Sequence, residues 1–165
     1  MPRFGLPDVV TIGYLVDHPE CAATLTRWHY EEWHSLMPEL SFADFGDELA
    51  SHRERAAIPT TLVAVAGAEV VGSASLIVED FPEWRQFTPW VASVFIAPTW
   101  RGRGIGTELV GRLVRLAGEL GVPNVYLGTP DRVDFYRERG WSVVAAPENP
   151  ARPIIIMARA CRVPG

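Results

Sequence analysis

The feature that most constrains this chain is Arg101-Gly102-Arg103-Gly104-Ile105-Gly106-Thr107, a short run that joins an apolar, β-branched stretch to an amphipathic one. Trp90 to Ala97 reads as a strand. Gly106 to Leu120 reads as a helix with Leu109, Leu113, Leu116, Ala117 and Leu120 on one face. On its other face Glu108 with Arg112 and Arg115 with Glu119 stand at i,i+4, while Gly121 and Pro123 supply stop signals. A helix start offers unpaired N–H groups and the positive end of the macrodipole, and glycine lets an anion approach the main chain without a Cβ in the way. Arg101 and Arg103 add planar, charge-assisted donors. The run therefore suits a diphosphate, although a glycine-rich connection with solvated arginines leaves the same local pattern.

Spacing removes two nucleotide-binding alternatives. A P-loop needs Gly-x-x-x-x-Gly-Lys followed by Ser or Thr, and no such lysine occurs. Gly102 and Gly104 begin a Gly-x-Gly, but the third glycine of a dinucleotide fingerprint would fall on Thr107, and nothing upstream opens a βαβ unit.

The rest of the chain reads as one domain over residues 1–165, without repeat, low-complexity segment or linker. Val9 to Val16 suits a first strand, Pro19 to about Leu36 a helix, and Ser41 to about Arg55 a second helix opened by Ser41 and Asp44. Thr60 to Ala66 and Glu69 to Val78 form a hairpin around Gly67-Ala68, and Glu79 to Pro89 a loop. Asn124 to Gly128 is a short strand and Asp131 to Arg139 a short helix. Ser142 to Ala146 and Ile154 to Arg159 are the last strands. Hairpins mixed with helical crossovers predict an α/β (α+β) domain, in two or three layers, around a mixed sheet of about seven strands with about four helices.

Composition bounds the partners. With a formal net charge of -5 there is no general positive field for nucleic acid. No apolar run approaches the ~18 residues of a membrane span, and Met1 to Asp8 lacks the apolar stretch of a secretory signal, so the expectation is a cytoplasmic protein. Cys21 and Cys161 are far apart, and His18, His29, His34 and His52 lack ligand spacing, so no metal is expected.

The turn resembles the coenzyme A turn of the GCN5-related N-acetyltransferase (GNAT) superfamily, Arg/Gln-x-x-Gly-x-Gly/Ala, through Arg101, Gly104 and Gly106. Val94-Phe95-Ile96-Ala97-Pro98 is similar to the family's fourth strand, and Asp134-Phe135-Tyr136-Arg137-Glu138-Arg139-Gly140-Trp141 to its Phe-Tyr-x-x-x-Gly-aromatic segment. The resemblance implies a mostly antiparallel sheet and an acetyl-CoA-dependent N-acetyltransferase acting on a primary amine of a small molecule or a peptide N-terminus. It implies that Val94, Phe95 and Ile96 pair with the pantetheine as an added strand would. Arg101, Gly102, Arg103, Gly104, Ile105, Gly106 and Thr107 then hold the diphosphate, and Tyr136 is the general acid for the leaving thiolate. Phe135, Tyr126 and Trp141 are expected to pack in the core.

The family often carries a Glu on the fourth strand, where this chain has Ala92 and Ser93. A base is then sought among Glu79, Asp80, Glu83, Glu31, Glu32, His29, His34 or a water. That gap also raises the alternative of a non-catalytic acyl-CoA sensor on the same fold. Trp28, Trp33, Phe42, Phe45, Phe81, Trp84, Phe87 and Trp90 give the acceptor side an aromatic character, by packing or by substrate stacking. A homodimer is left open.

Overall fold

A computed structural model of the chain describes residues 9–146 and 153–162. The opening segment Met1 to Asp8 lies outside the described residues. Seven strands form one sheet: β1 (Val10–Tyr14), β2 (Thr60–Ala66), β3 (Glu69–Ile77), β4 (Trp90–Ile96), β5 (Asn124–Thr129), β6 (Ser142–Ala145) and β7 (Ile155–Ala160). Their order is β1-β2-β3-β4-β5-β7-β6. Every neighbouring pair is antiparallel except β4 and β5, which run parallel. The parallel pair needs a crossover, and α3 (Ile105–Glu119) supplies it.

The remaining helices are α1 (Ala22–Trp33), α2 (Phe42–Ser51) and α4 (Val133–Arg137). The layers follow from alternation along the strands. Leu62, Ala64, Val71 and Leu76 pack in one cluster with Ile105, Leu109 and Leu113 of α3. Val63, Val65 and Val70 pack in a second cluster with Leu25 of α1 and Leu49 of α2. Both faces of β2 and β3 are covered, which is why these strands read as near-continuous apolar runs.

Several helix ends differ from the sequence expectation, each for a local reason. Pro19 opens a 3-10 turn over Pro19–Cys21, so α1 begins at Ala22. After Trp33 the hydrogen bonds tighten to i→i+3, with Leu36 N donating to Trp33 O and Met37 N to His34 O. The second helix starts as expected: Ser41 Oγ accepts from Asp44 N at 3.1 Å and Asp44 Oδ2 accepts from Ser41 N at 2.7 Å. A cap of this kind contributes roughly 0.5–2 kcal/mol. It ends early, at Ser51, because the buried His52 ring turns toward the sheet, where Nδ1 meets Thr61 Oγ1 at 2.7 Å. On α3 the Glu108–Arg112 pair forms at 3.0 Å, but Arg115 reaches Glu108 at 3.8 Å rather than Glu119.

Candidate active site between the diverging strands β4 and β5

Trp90 and Tyr126 are the one β4–β5 pair in register, next to a backbone bond from Tyr126 N to Pro89 O at 3.0 Å. Beyond them the strands separate, which leaves the part-exposed Val94, Phe95 and Ile96 without partners on β5. β4 is also bulged. Ser73 pairs with Phe95 and Ser75 with Ala92, so Ser93 and Val94 stand opposite Ala74 alone, and Ser93 has a φ of 52°.

The glycine turn lies at the open end of this gap. Gly104 is the residue before α3, with φ 82°, and no side chain caps the helix there. Gly102 is also left-handed, at φ 77°. A side chain at either position would be strained, and α3 keeps its first N–H groups uncapped by any side chain. The arginines are held by the main chain. Arg101 Nε donates to Ile96 O at 2.9 Å, with its guanidinium 5.7 Å from the Phe95 ring, and Arg103 donates to Thr99 O at 3.3 Å while lying over Trp100 at 4.7 Å. Ile105 is buried, whereas Thr107 is exposed. Thr107 accepts a hydrogen bond from Arg139 Nε at 3.2 Å, a contact that joins the C-terminal end of α4 to the start of α3.

Tyr136 comes from α4 and is half-buried, with its ring 5.2 Å from Phe135 and 6.0 Å from Trp141. Burial pushes its phenol up, against the smaller opposing pull of Arg132 and Arg139. Trp141 is core, as expected, at 2 % exposure. Phe135 is not. It is half-exposed, with the guanidiniums of Arg139 and Arg132 at 3.6 Å and 4.4 Å from its ring centre. Tyr126 likewise does not join the α3 core, because β5 alternates and Val125 and Leu127 take those positions. It stacks on Phe87 at 4.7 Å.

The loop after β3 closes over the same gap. Gly128 of β5 has no side chain, and the Phe81 ring sits where one would be: a Cβ there would lie 2.6 Å from it. Phe81 also packs on Trp90 at 5.3 Å, so this ring touches both strands. Its neighbour Asp80 keeps exposed surface, yet its carboxyl is pushed up to about 6, first by desolvation and then by the charges of Glu48 and Glu83. Glu48 is tied in turn to a buried polar chain, with its carboxylate 3.2 Å from His52 Nε2, His52 Nδ1 bonded to Thr61, and Thr61 Oγ1 2.8 Å from Ser75 Oγ.

The other base candidates are less well placed. Glu79 pairs with Arg85 at 3.3 Å, and Glu31, Glu32 and His34 are exposed on or just beyond α1. His29 is buried, with Nε2 3.0 Å from Ser73 Oγ, and burial followed by the charge of His52 lowers it to about 4. The aromatic residues form three separate groups. Trp28 and Trp33 join His29 around Phe95, Phe42 and Phe45 flank Tyr30, and Phe81, Phe87 and Tyr126 surround Trp90, with Trp84 stacked on Phe87. Among the described residues no group of His, Cys, Asp and Glu has metal-binding geometry, and no helix is long and apolar enough to cross a membrane.

Residues 19–141 match the model of the acetyltransferase (GNAT) family. Among solved structures, the aminoglycoside 6'-acetyltransferase type Ii superposes with a TM-score of 0.71 at 22% identity, covering 94% of this chain and 99% of that one. An aminoglycoside 6'-N-acetyltransferase complexed with coenzyme A gives 0.71 at 20% identity, covering 94% and 98%. An acetyltransferase from Streptococcus agalactiae gives 0.68 at 20% identity, covering 93% and 99%. No curated protein matches the sequence.

Proposed function

The chain belongs to the GNAT acetyltransferase family, whose members use acetyl-CoA, and from that premise we propose that it moves an acetyl group from acetyl-CoA to a primary amine of a small molecule or a peptide N-terminus. The observation that carries the reading is the turn itself. Two left-handed glycines precede an α3 start that no side chain caps, and two arginines are anchored to main-chain carbonyls where β4 leaves β5. The diphosphate lies against Arg101 to Thr107 and the pantetheine pairs along Val94 to Ile96.

The bulge at Ser93 and Val94 interrupts the ladder with β3, and in this reading a main-chain N–H freed there stabilises the oxyanion of the thioester carbonyl. The neutral amine attacks the carbonyl carbon, the C–S bond breaks, and Tyr136 gives its phenolic proton to the departing thiolate. Asp80 takes the proton that the amine loses. Its pKa of about 6 makes it a better base than an ordinary carboxylate while leaving it ionised at neutral pH. His29, near 4 and engaged with Ser73, is a weaker base. The charges of Asp80, Glu48 and Glu83 draw a cationic acceptor toward this rim.

The assay is acetyl-CoA consumption against a panel of cationic small-molecule amines and N-terminal peptides. Acceptor-dependent release of free coenzyme supports transfer. Tight binding with no turnover on any acceptor would instead make the chain a non-catalytic acyl-CoA sensor.

A further inference from the structure

The donor site proposed above uses the turn for the diphosphate of coenzyme A and Tyr136 for its thiol end. The coenzyme carries a third phosphate, on the ribose 3'-oxygen, and two arginines of the α4 segment have no part in that scheme. Arg139 and Arg132 both lie over the Phe135 ring, at 3.6 Å and 4.4 Å from its centre. Two like charges gathered at one ring repel, and the attraction of each for the ring offsets part of that repulsion. A dianion between them would offset the rest.

Arg139 is held in place for such a role. Its Nε donates to Thr107 Oγ1 at 3.2 Å and an NH donates to Phe135 O at 2.8 Å, so the guanidinium links the α4 segment to the last residue of the Arg101 to Thr107 turn. Glu138 stands 3.9 Å away, beyond hydrogen-bond distance, so no tight carboxylate pair neutralises the guanidinium. Arg132 is exposed and makes no ion pair among the described residues. Both cations also act on the Tyr136 phenol, which places their field on the side of the proposed cofactor channel.

We propose that Arg139, with Arg132, forms a recognition site for the ribose 3'-phosphate of coenzyme A. The inference rests on the turn being the donor site. A 3'-phosphate carries close to two charges at neutral pH, and the planar forks suit its oxygens.

The test compares calorimetric affinities for acetyl-CoA and its 3'-dephospho form. The wild type should prefer acetyl-CoA by roughly ten- to hundredfold, the effect of one charge-assisted hydrogen bond. Arg139→Ala should bring that ratio close to one by weakening acetyl-CoA far more than the dephospho form, and Arg139→Lys, which keeps the charge, should give an intermediate ratio. Arg132→Ala should also lower the ratio, and it carries the test if Arg139→Ala does not fold. Equal affinity of the wild type for both ligands would overturn the site, as would an Arg139→Ala variant that weakens both by the same factor. A wild type that binds neither ligand refutes the donor site and this site with it.

Discussion

Replacing Asp80 by Asn preserves the shape of the side chain and removes its capacity to take a proton. Asp80 stands at about 6 against an ordinary 3.8, a rise of about 2. Each pKa unit is worth about 1.4 kcal/mol, so the rise makes proton transfer to Asp80 about 3 kcal/mol easier than to an ordinary carboxylate. From an amine near a pKa of about 8 the transfer is still uphill by about 3 kcal/mol, and from one near about 10.4 by about 6 kcal/mol, so weakly basic amines are the better acceptors. Loss of a general base costs roughly 10²- to 10⁴-fold in rate, so Asp80→Asn should lower kcat/KM for the acceptor by that factor and leave acetyl-CoA binding intact. Initial rates of coenzyme release across pH give the check. Wild-type activity falls as the pH drops through about 6, and the variant lacks that limb. Glu48→Gln removes a negative neighbour, so it lowers the Asp80 pKa and moves the limb to lower pH. An Asp80→Asn enzyme within about threefold of wild type, with the same acid limb, would refute the assignment.

Tyr136→Phe should reduce kcat by roughly 10²-fold or more and change acetyl-CoA affinity little, measured by pre-steady-state thiolate release; unchanged turnover removes the phenol from the chemistry. Gly128→Ala puts a methyl group 2.6 Å from the Phe81 ring and 2.9 Å from Ile154, displacing the loop that carries Asp80. It should therefore depress turnover while the distant turn still binds coenzyme, and a fully active variant would show that the loop position is immaterial. His29 titrates near 4 when folded against 6.5 as the ordinary value, so the unfolded chain binds more protons between those limits. Its stabilising effect is complete above about pH 6.5 and is lost as the pH falls toward about 4, by about 2 kcal/mol between about pH 7 and pH 5. Asp80, raised to about 6, acts with the opposite sign over the same interval, so the His29 contribution is read as a difference. Urea unfolding at those two pH values should cost the wild type about 2 kcal/mol more than His29→Gln, and parallel responses would contradict it.

What the sequence made legible was mostly local. The Gly102–Gly104 pair, the amphipathic period of α3 and the Ser41–Asp44 cap each depend on neighbours a few residues away, and each recurs in the structure. Phe135 and Tyr126 show the limit. Hydrophobicity predicted burial for both, but the strand register turned Tyr126 toward Phe87, and two arginines covered Phe135 instead of the core. The pKa of Asp80 depends on Glu48, which a different element brings near, and no periodicity within the loop signals it. The Arg139–Thr107 hydrogen bond, on which the proposed 3'-phosphate site rests, was not legible for the same reason, since it crosses 32 residues.

The most direct test of the account is calorimetric titration of acetyl-CoA into the wild type and into Arg101→Ala and Arg103→Ala. Saturable binding should appear in the wild type and weaken about tenfold or more in each variant, as the loss of a charge-assisted phosphate contact requires. Absence of wild-type binding at millimolar coenzyme, or affinity unchanged in both variants, would contradict the assignment of the Arg101 to Thr107 turn as the diphosphate site.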